Sequence, residues 1–252
     1  MRLYVITGAS RGLGAALAEA LMAPGHRLIC MARSQAPLAS LRKHARTRGC
    51  AVDALAIDIG DAAAAVAALE ATMNKLDPAR FRAVSLINNA GVVEPIHTVE
   101  RLLPTEIAAS VAVNLTAPMA LTAAFLRLTA AWPAERKILN ISSGAAHKAY
   151  AGWSVYCATK AALDQFTRCL SLEQQRHANG AKVVALAPGV IDTAMQASVR
   201  RATADEFAEL PRFVALKESG QLPTPQAAAE SLLRYLERAD FGATPVDDVR
   251  NA

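Results

Sequence analysis

The 252-residue chain has little of what staples or metallates a small fold. Its four cysteines (Cys30, Cys50, Cys157, Cys169) form no CxxC pair and no knot-like spacing, which excludes a disulfide scaffold. Five scattered histidines, with no HExxH and no Cys/His cluster, argue against a metal site. Aromatic residues make up 5% of the chain and charged residues 19%. No Lys/Arg block is interleaved with aromatics, so a pI near 9.2 does not point to nucleic acid; the modest positive excess suits an anionic small ligand. No uninterrupted apolar run approaches the ~18–20 residues that span a bilayer, which predicts no membrane partner. The first strand-like run starts at Leu3 and leaves no room for a signal peptide, so the expected setting is the cytoplasm, with reduced thiols.

The hydrophobic content, in contrast, is high at 53%, and the net charge is only +5, which excludes disorder. The length suits a single α/β domain over 1–252 with no boundary inside it. Strand-length runs at 3–7, 27–32, 52–58, 83–88, 137–142 and 182–187 are mostly continuous in apolar residues rather than alternating, as in parallel strands covered on both faces. Helical spacing fills the gaps at about 12–23, 36–48, 61–75, 104–131, 155–177 and 225–239. Asp61 is placed to cap the third helix, and Thr224 before Pro225 to cap the last. Segment 194–222 has weak periodicity and reads as a mobile, partly helical lid. Alternation throughout predicts a Rossmann-like, doubly wound parallel sheet with helices on both faces. The cofactor half is expected at about 1–140 and the catalytic and substrate half at about 141–252.

Between the first strand and the first helix stands Thr7-Gly8-Ala9-Ser10-Arg11-Gly12-Leu13-Gly14. Glycines at such a turn let the backbone approach a pyrophosphate, and the helix behind it offers free N–H groups. The second strand ends Ala32-Arg33-Ser34. An NAD-selective site places an acid there for the ribose 2′-hydroxyl; Arg33, Ser34 and Arg11 instead suit a 2′-phosphate. Asp58, followed by Ile59, ends the third strand, where it could accept from the adenine amino group.

Tyr156 and Lys160 lie four apart, on one helix face, and no other of the four tyrosines has a lysine at that offset. A free tyrosine, with a pKa of ~10, is a poor proton donor-acceptor at neutral pH. A neighbouring ammonium, together with the positive nicotinamide of an oxidised cofactor, favours the tyrosinate and brings the pKa towards neutrality. Thirteen residues earlier, Ser142-Ser143 ends a strand, and Ser143 could donate to a carbonyl oxygen as it gains charge.

These residues identify the chain as resembling the short-chain dehydrogenase/reductase family over essentially its whole length. The likeness rests on the Gly8/Gly12/Gly14 loop, Asn88-Asn89-Ala90-Gly91, Asn114, Ser143, Tyr156 with Lys160, and Pro188-Gly189. It implies an oxidoreductase with the catalytic tetrad Asn114, Ser143, Tyr156 and Lys160, and the Arg33/Arg11 pair makes NADPH the expected cofactor. By that resemblance Tyr156 is the acid in reduction, Ser143 orients the carbonyl, Lys160 binds the nicotinamide ribose, and Asn114 holds a relay water. Asn89, Ala90 and Gly91 would line the adenosine side, while Pro188, Gly189, Val190 and Thr193 place the nicotinamide.

Within the family the chain is similar to sepiapterin reductases and bacterial benzil reductases. The shared features are Arg11 with Ala32-Arg33-Ser34, the run Lys217-Glu218-Ser219-Gly220-Gln221-Leu222, and the ending Val246-Asp247. Asp247 matches the aspartate that anchors a pterin, whereas Asp248-Val249-Arg250 departs from the aromatic tail expected after it. Tyr150, Trp153 and Asp247 are candidate substrate residues alongside Ser143. The expected substrate is a small carbonyl compound, either a vicinal diketone or a pterin side-chain ketone. Two other readings stand: an alcohol dehydrogenase working oxidatively, and a non-catalytic NADPH sensor. The resemblance also implies a homodimer or homotetramer through the helices at 104–131 and 155–177.

Overall fold

The computed structural model describes residues 1–251. Seven strands form one parallel sheet in the order β3-β2-β1-β4-β5-β6-β7. They are β1 (Arg2–Thr7), β2 (His26–Ala32), β3 (Ala51–Ala56), β4 (Ala83–Asn88), β5 (Glu135–Ile141), β6 (Lys182–Ala187) and β7 (Val246–Asp248). The chain builds β1 to β3 outward in one direction, then returns to place β4 on the other side of β1. This reversal opens a crevice beyond the C-terminal ends of β1 and β4, where an open α/β sheet holds its ligand.

Helices α1 (Gly12–Ala20), α2 (Gln35–Thr47) and α9 (Pro225–Leu236) cover one face. Leu17, Leu38 and Leu232 pack there on Tyr4, Ile6, Leu139 and Leu186. The other face carries α3 (Ala62–Met73), α5 (Ala117–Leu128) and α6 (Ser154–Gln174), with Leu69, Phe125 and Leu170 on Val5, Ile138 and Val183. Each inner strand buries both faces over most of its length, which is why its sequence is largely apolar. Asp61 accepts from the Ala64 N–H over 3.0 Å and Thr224 from the Ala227 N–H over 3.2 Å, so both expected caps are formed.

Two expectations need correction. The third strand stops at Ala56 rather than at 58, because Asp58 turns its carboxylate back onto the Gly60 N–H, 2.9 Å away, and the turn ends pairing. The helix expected at 104–131 comprises α4 (Pro104–Val111), a wider π turn over Ala112–Thr116, and α5. Together these give 25 residues, Pro104–Leu128, with an 18-residue window of mean hydropathy 1.6, long and apolar enough to cross a membrane by length and composition. Its inner side, Ala117, Leu121, Ala124 and Phe125, lies fully buried in the core, which accounts for the apolar character. The 194–222 segment is partly helical, as expected: it forms α7 (Ala194–Val199) and α8 (Leu210–Glu218), with Val199, Phe207 and Phe213 buried.

Candidate active site

At the crevice, the turn after β1 is shaped by close approach. Gly8 adopts φ +70°, and a Cβ on Gly14 would stand 2.2 Å from the Gly8 carbonyl oxygen. Asn89, just past β4, donates to the Thr7 carbonyl over 2.9 Å, while Thr7 Oγ1 accepts from the N–H groups of Asn89 and Ala90 at 3.0 Å. The sequence motif at 88–91 therefore holds the glycine turn from behind. Among the described residues no side chain caps the start of α1, which follows directly on Ser10 and Arg11 and opens with Gly12 and Leu13. An uncapped helix start over a glycine cradle fits the pyrophosphate of a dinucleotide. Arg11 and Arg33 are exposed, and among the described residues neither has an ionic partner. Ser34 caps no N–H of α2 and stays free at the same rim. Ile59 is buried beside Asp58. Thr193 comes within 3.5 Å of the position a Gly12 Cβ would take, so the 188–193 segment closes over the glycine turn.

The catalytic candidates meet where β5 ends against α6. Tyr156, Lys160 and Asn114 are all buried. Asn114 sits in the π turn, where its side chain bridges to Val92 twice, donating to the carbonyl and accepting from the N–H, each over 2.8 Å. A widened turn of this kind commonly marks a functional site. Lys160 Nζ donates to the Ile141 carbonyl over 2.8 Å and lies 5.8 Å from the centre of the Tyr156 ring. Burial pulls Lys160 down to about 8, opposed by Asp164 one helical turn on. Burial pushes the Tyr156 phenol above its ordinary value, and the Ser143 hydroxyl works against that rise. Desolvation dominates here, and Lys160 is not among the groups that act on the phenol; the lowering expected from it was tied to a positive nicotinamide beside it. A phenol raised in this way is kept protonated, as a general acid must be.

Over this centre lies an aromatic wall. Trp153 sets its edge to Tyr156 with centroids 5.5 Å apart and stacks on Phe207 of the lid at 4.5 Å. Tyr150 joins the same cluster and accepts from Arg212 of α8 over 3.3 Å. Both expected wall residues therefore contact the lid, and Trp153 also meets the catalytic tyrosine. Phe207 and Phe213 had no sequence signal, since the lid carries no periodicity that separates wall from surface.

Asp247 is the exception. Its strand pairs Asp247 with Leu186, which faces the α9 side, and so does the carboxylate. It accepts from Tyr235 Oη over 2.7 Å, the Asp248 N–H over 2.8 Å and Asn251 over 3.2 Å. Tyr156 and Lys160 stand on the opposite, α6 side of the sheet. The alternation of β7 turns Asp248, not Asp247, to that side, where it lies near His147. A one-residue offset in a strand reverses the face, so with two adjacent acids only the pairing register decides which one points to which side.

Residues 2–204 match the family model for short chain dehydrogenases. The chain belongs to the short-chain dehydrogenase family. It is accordingly an oxidoreductase of the carbonyl/alcohol type, on the fold this family shares. Among its relatives is the "Benzil reductase ((S)-benzoin forming)" of Bacillus cereus, 35% identical over 241 residues, with 96% of each chain covered. The sepiapterin reductase of Rattus norvegicus is 34% identical over 247 residues, covering 94% of this chain and 92% of that one. A short-chain dehydrogenase from Sphingobium yanoikuyae, solved in complex with NADPH, superposes with a TM-score of 0.78 at 27% identity, over 98% of this chain and 87% of that one.

Proposed function

We propose that the chain is an NADPH-dependent carbonyl reductase whose substrate is a small ketone, foremost one carbonyl of a vicinal aromatic diketone. The observation that carries this reading is the meeting of Ser143, Tyr156 and Lys160 at the end of β5, beside a glycine cradle. Bound in the cradle, a nicotinamide cofactor supplies the hydride. Ser143 and Tyr156 would hold the substrate oxygen, and Tyr156 would deliver the proton to the forming alkoxide. Lys160 would bind the nicotinamide ribose, and Asn114, in the π turn, would hold the water that returns a proton to Lys160.

NADPH is preferred over NADH in this reading because Arg33 and Arg11 have no acidic partner among the described residues and could both meet a 2′-phosphate. The wall of Trp153, Tyr150, Phe207 and Phe213 suits an aryl ketone. Asp247, committed to Tyr235, offers a pterin edge no free carboxylate at the centre, so a diketone is favoured over a pterin. The reading extends to a cytoplasmic homodimer or homotetramer: Leu103 before α4, Ile107 on α4, Met119 on α5 and Leu172 on α6 are large, apolar and exposed. The test is NADPH and NADH consumption with benzil, aliphatic diketones, simple ketones and sepiapterin. Turnover of benzil with NADPH is expected; no oxidation of either cofactor by any carbonyl would overturn the reading.

A further inference from the structure

The end of β5 and the catalytic helix meet in three successive contacts. Ser143 works on Tyr156, the Ile141 carbonyl accepts from Lys160, and the Ser142 hydroxyl donates to Oδ1 of Asp164. The three helix residues are spaced by four, so they share one face of α6. The chemistry described above uses only the first two. Asp164 is 1% exposed, and its Oδ2 has no hydrogen-bond partner among the described residues. His147 Nε2 stands 3.2 Å from that oxygen, at ion-pair distance but off the line of a hydrogen bond. A buried carboxylate is costly to keep unless its charge or its contacts are used.

We propose that Asp164 is a positioning residue for the reaction: through Ser142 it clamps the end of β5 to α6, so that Ser143 stays against Tyr156, and its charge holds Lys160 in the ammonium form. The inference rests on the carbonyl-reductase reading. The charged groups facing Asp164 are His147, Arg168 and Lys160. Lys160 faces Asp164 and the Tyr156 ring, and His147 also faces Asp248. Burial acts to strip the proton from Lys160, and the carboxylate is the group that opposes it. Asp164 and Ser142 therefore act on the two catalytic side chains without touching the substrate.

Two variants separate the parts. Asp164→Asn keeps an acceptor for Ser142 and removes the charge. Ser142→Ala removes the donor and leaves the charge in place. The chain has seven lysines, so 13Cε-lysine NMR can follow Lys160 directly, with its signal assigned by Lys160→Arg. In Asp164→Asn the Lys160 titration midpoint is expected to fall by about one pH unit, the scale of a lost neighbouring charge. The alkaline limb of kcat should fall with it. In Ser142→Ala, kcat is expected to drop about tenfold or more with KM for NADPH unchanged, and Ser142→Thr should restore most of it. An unmoved Lys160 midpoint in Asp164→Asn, or full kcat in Ser142→Ala, would overturn the proposal. If Asp164→Asn fails to accumulate, Ser142→Ala and Ser142→Thr still decide the clamp. If the unmodified chain reduces no carbonyl, the carbonyl-reductase reading fails, and the NMR titration still decides whether Asp164 sets the charge of Lys160.

Discussion

Lys160 gives its ammonium to the backbone carbonyl of Ile141, 2.8 Å away, inside a site that excludes solvent. Burial holds it at about 8, below the ordinary lysine value of 10.5. The folded chain therefore disfavours the charged form. The stability lost in this way is lost in full below about pH 8 and returns between about 8 and 10.5, as the unfolded lysine also gives up its proton. The difference corresponds to a cost on the order of 3 kcal/mol. Lys160→Met fills a similar volume but leaves the Ile141 carbonyl unpaired, at about 1–2 kcal/mol. The expected outcome at neutral pH is a net gain of about 1–2 kcal/mol, a Tm higher by a few degrees, and loss of turnover. Calorimetry checks it; a lower Tm would show that the ammonium is a net stabiliser.

The same titration sets a limb in activity. Below about pH 8 Lys160 carries its charge, and above it the charge is lost. Tyr156, raised by burial, remains protonated across that range. Reduction should therefore fall as pH rises through about 8, by loss of Lys160 rather than by ionisation of the acid. In a pH profile of kcat/KM for NADPH at saturating ketone, a limb unchanged in Lys160→Arg would assign it to another group.

Tyr156→Phe tests the acid. The ring keeps its edge contact with Trp153 and only the hydroxyl is lost. Turnover should drop by ~10²–10⁴-fold, with Tm and NADPH affinity little changed. Near-full rate would mean the proton comes from elsewhere.

Arg33→Asp tests the choice of cofactor. It places a like charge beside the expected 2′-phosphate, which should weaken NADPH binding by on the order of 2 kcal/mol or more, with NADH little affected. Fluorescence titration of both cofactors measures this. Equal affinity for the two in the unmodified chain would remove the basis for the assignment.

Much of this was legible in the sequence, for a physical reason. Strands covered on both faces must be largely apolar, so the five inner ones announced themselves, and the half-exposed edge strand β3 showed by its own apolar run. The seventh, Val246–Asp248, is short and polar and came only from family likeness. The Tyr156/Lys160 pair shows as a fixed helical offset, and the glycine turn as residues that close approach demands. The polar contacts that join elements were hidden, because each pairs residues far apart in the chain. Asn88 donates to Asn140 over 2.8 Å and Asn140 to Thr167 over 2.8 Å, linking β4, β5 and α6. Asp164 with Ser142 is of the same kind. The lid aromatics were hidden for another reason: Phe207 lies in a turn between α7 and α8, where no period separates inside from outside.

Asp247 decides between the two substrate types. Were it a pterin anchor, Asp247→Ala would raise KM for sepiapterin strongly and leave benzil unaffected. The structure commits it instead to the far face of β7. Burial acts to raise its pKa, but the hydrogen bonds from Tyr235, the Asp248 N–H and Asn251 outweigh this and hold it below the ordinary aspartate value. Those contacts tie the last strand to α9, so the loss belongs to folding rather than to recognition. Part of the carboxylate is exposed, which reduces the worth of each contact. Asp247→Ala is therefore expected to cost about 1 kcal/mol of stability. It should shift KM for sepiapterin and benzil by the same small factor, leaving their ratio unchanged. Denaturant unfolding gives the first quantity and paired steady-state assays the second. A selective rise for sepiapterin with unchanged stability would mean that β7 turns over when a substrate binds, and would restore the pterin reading.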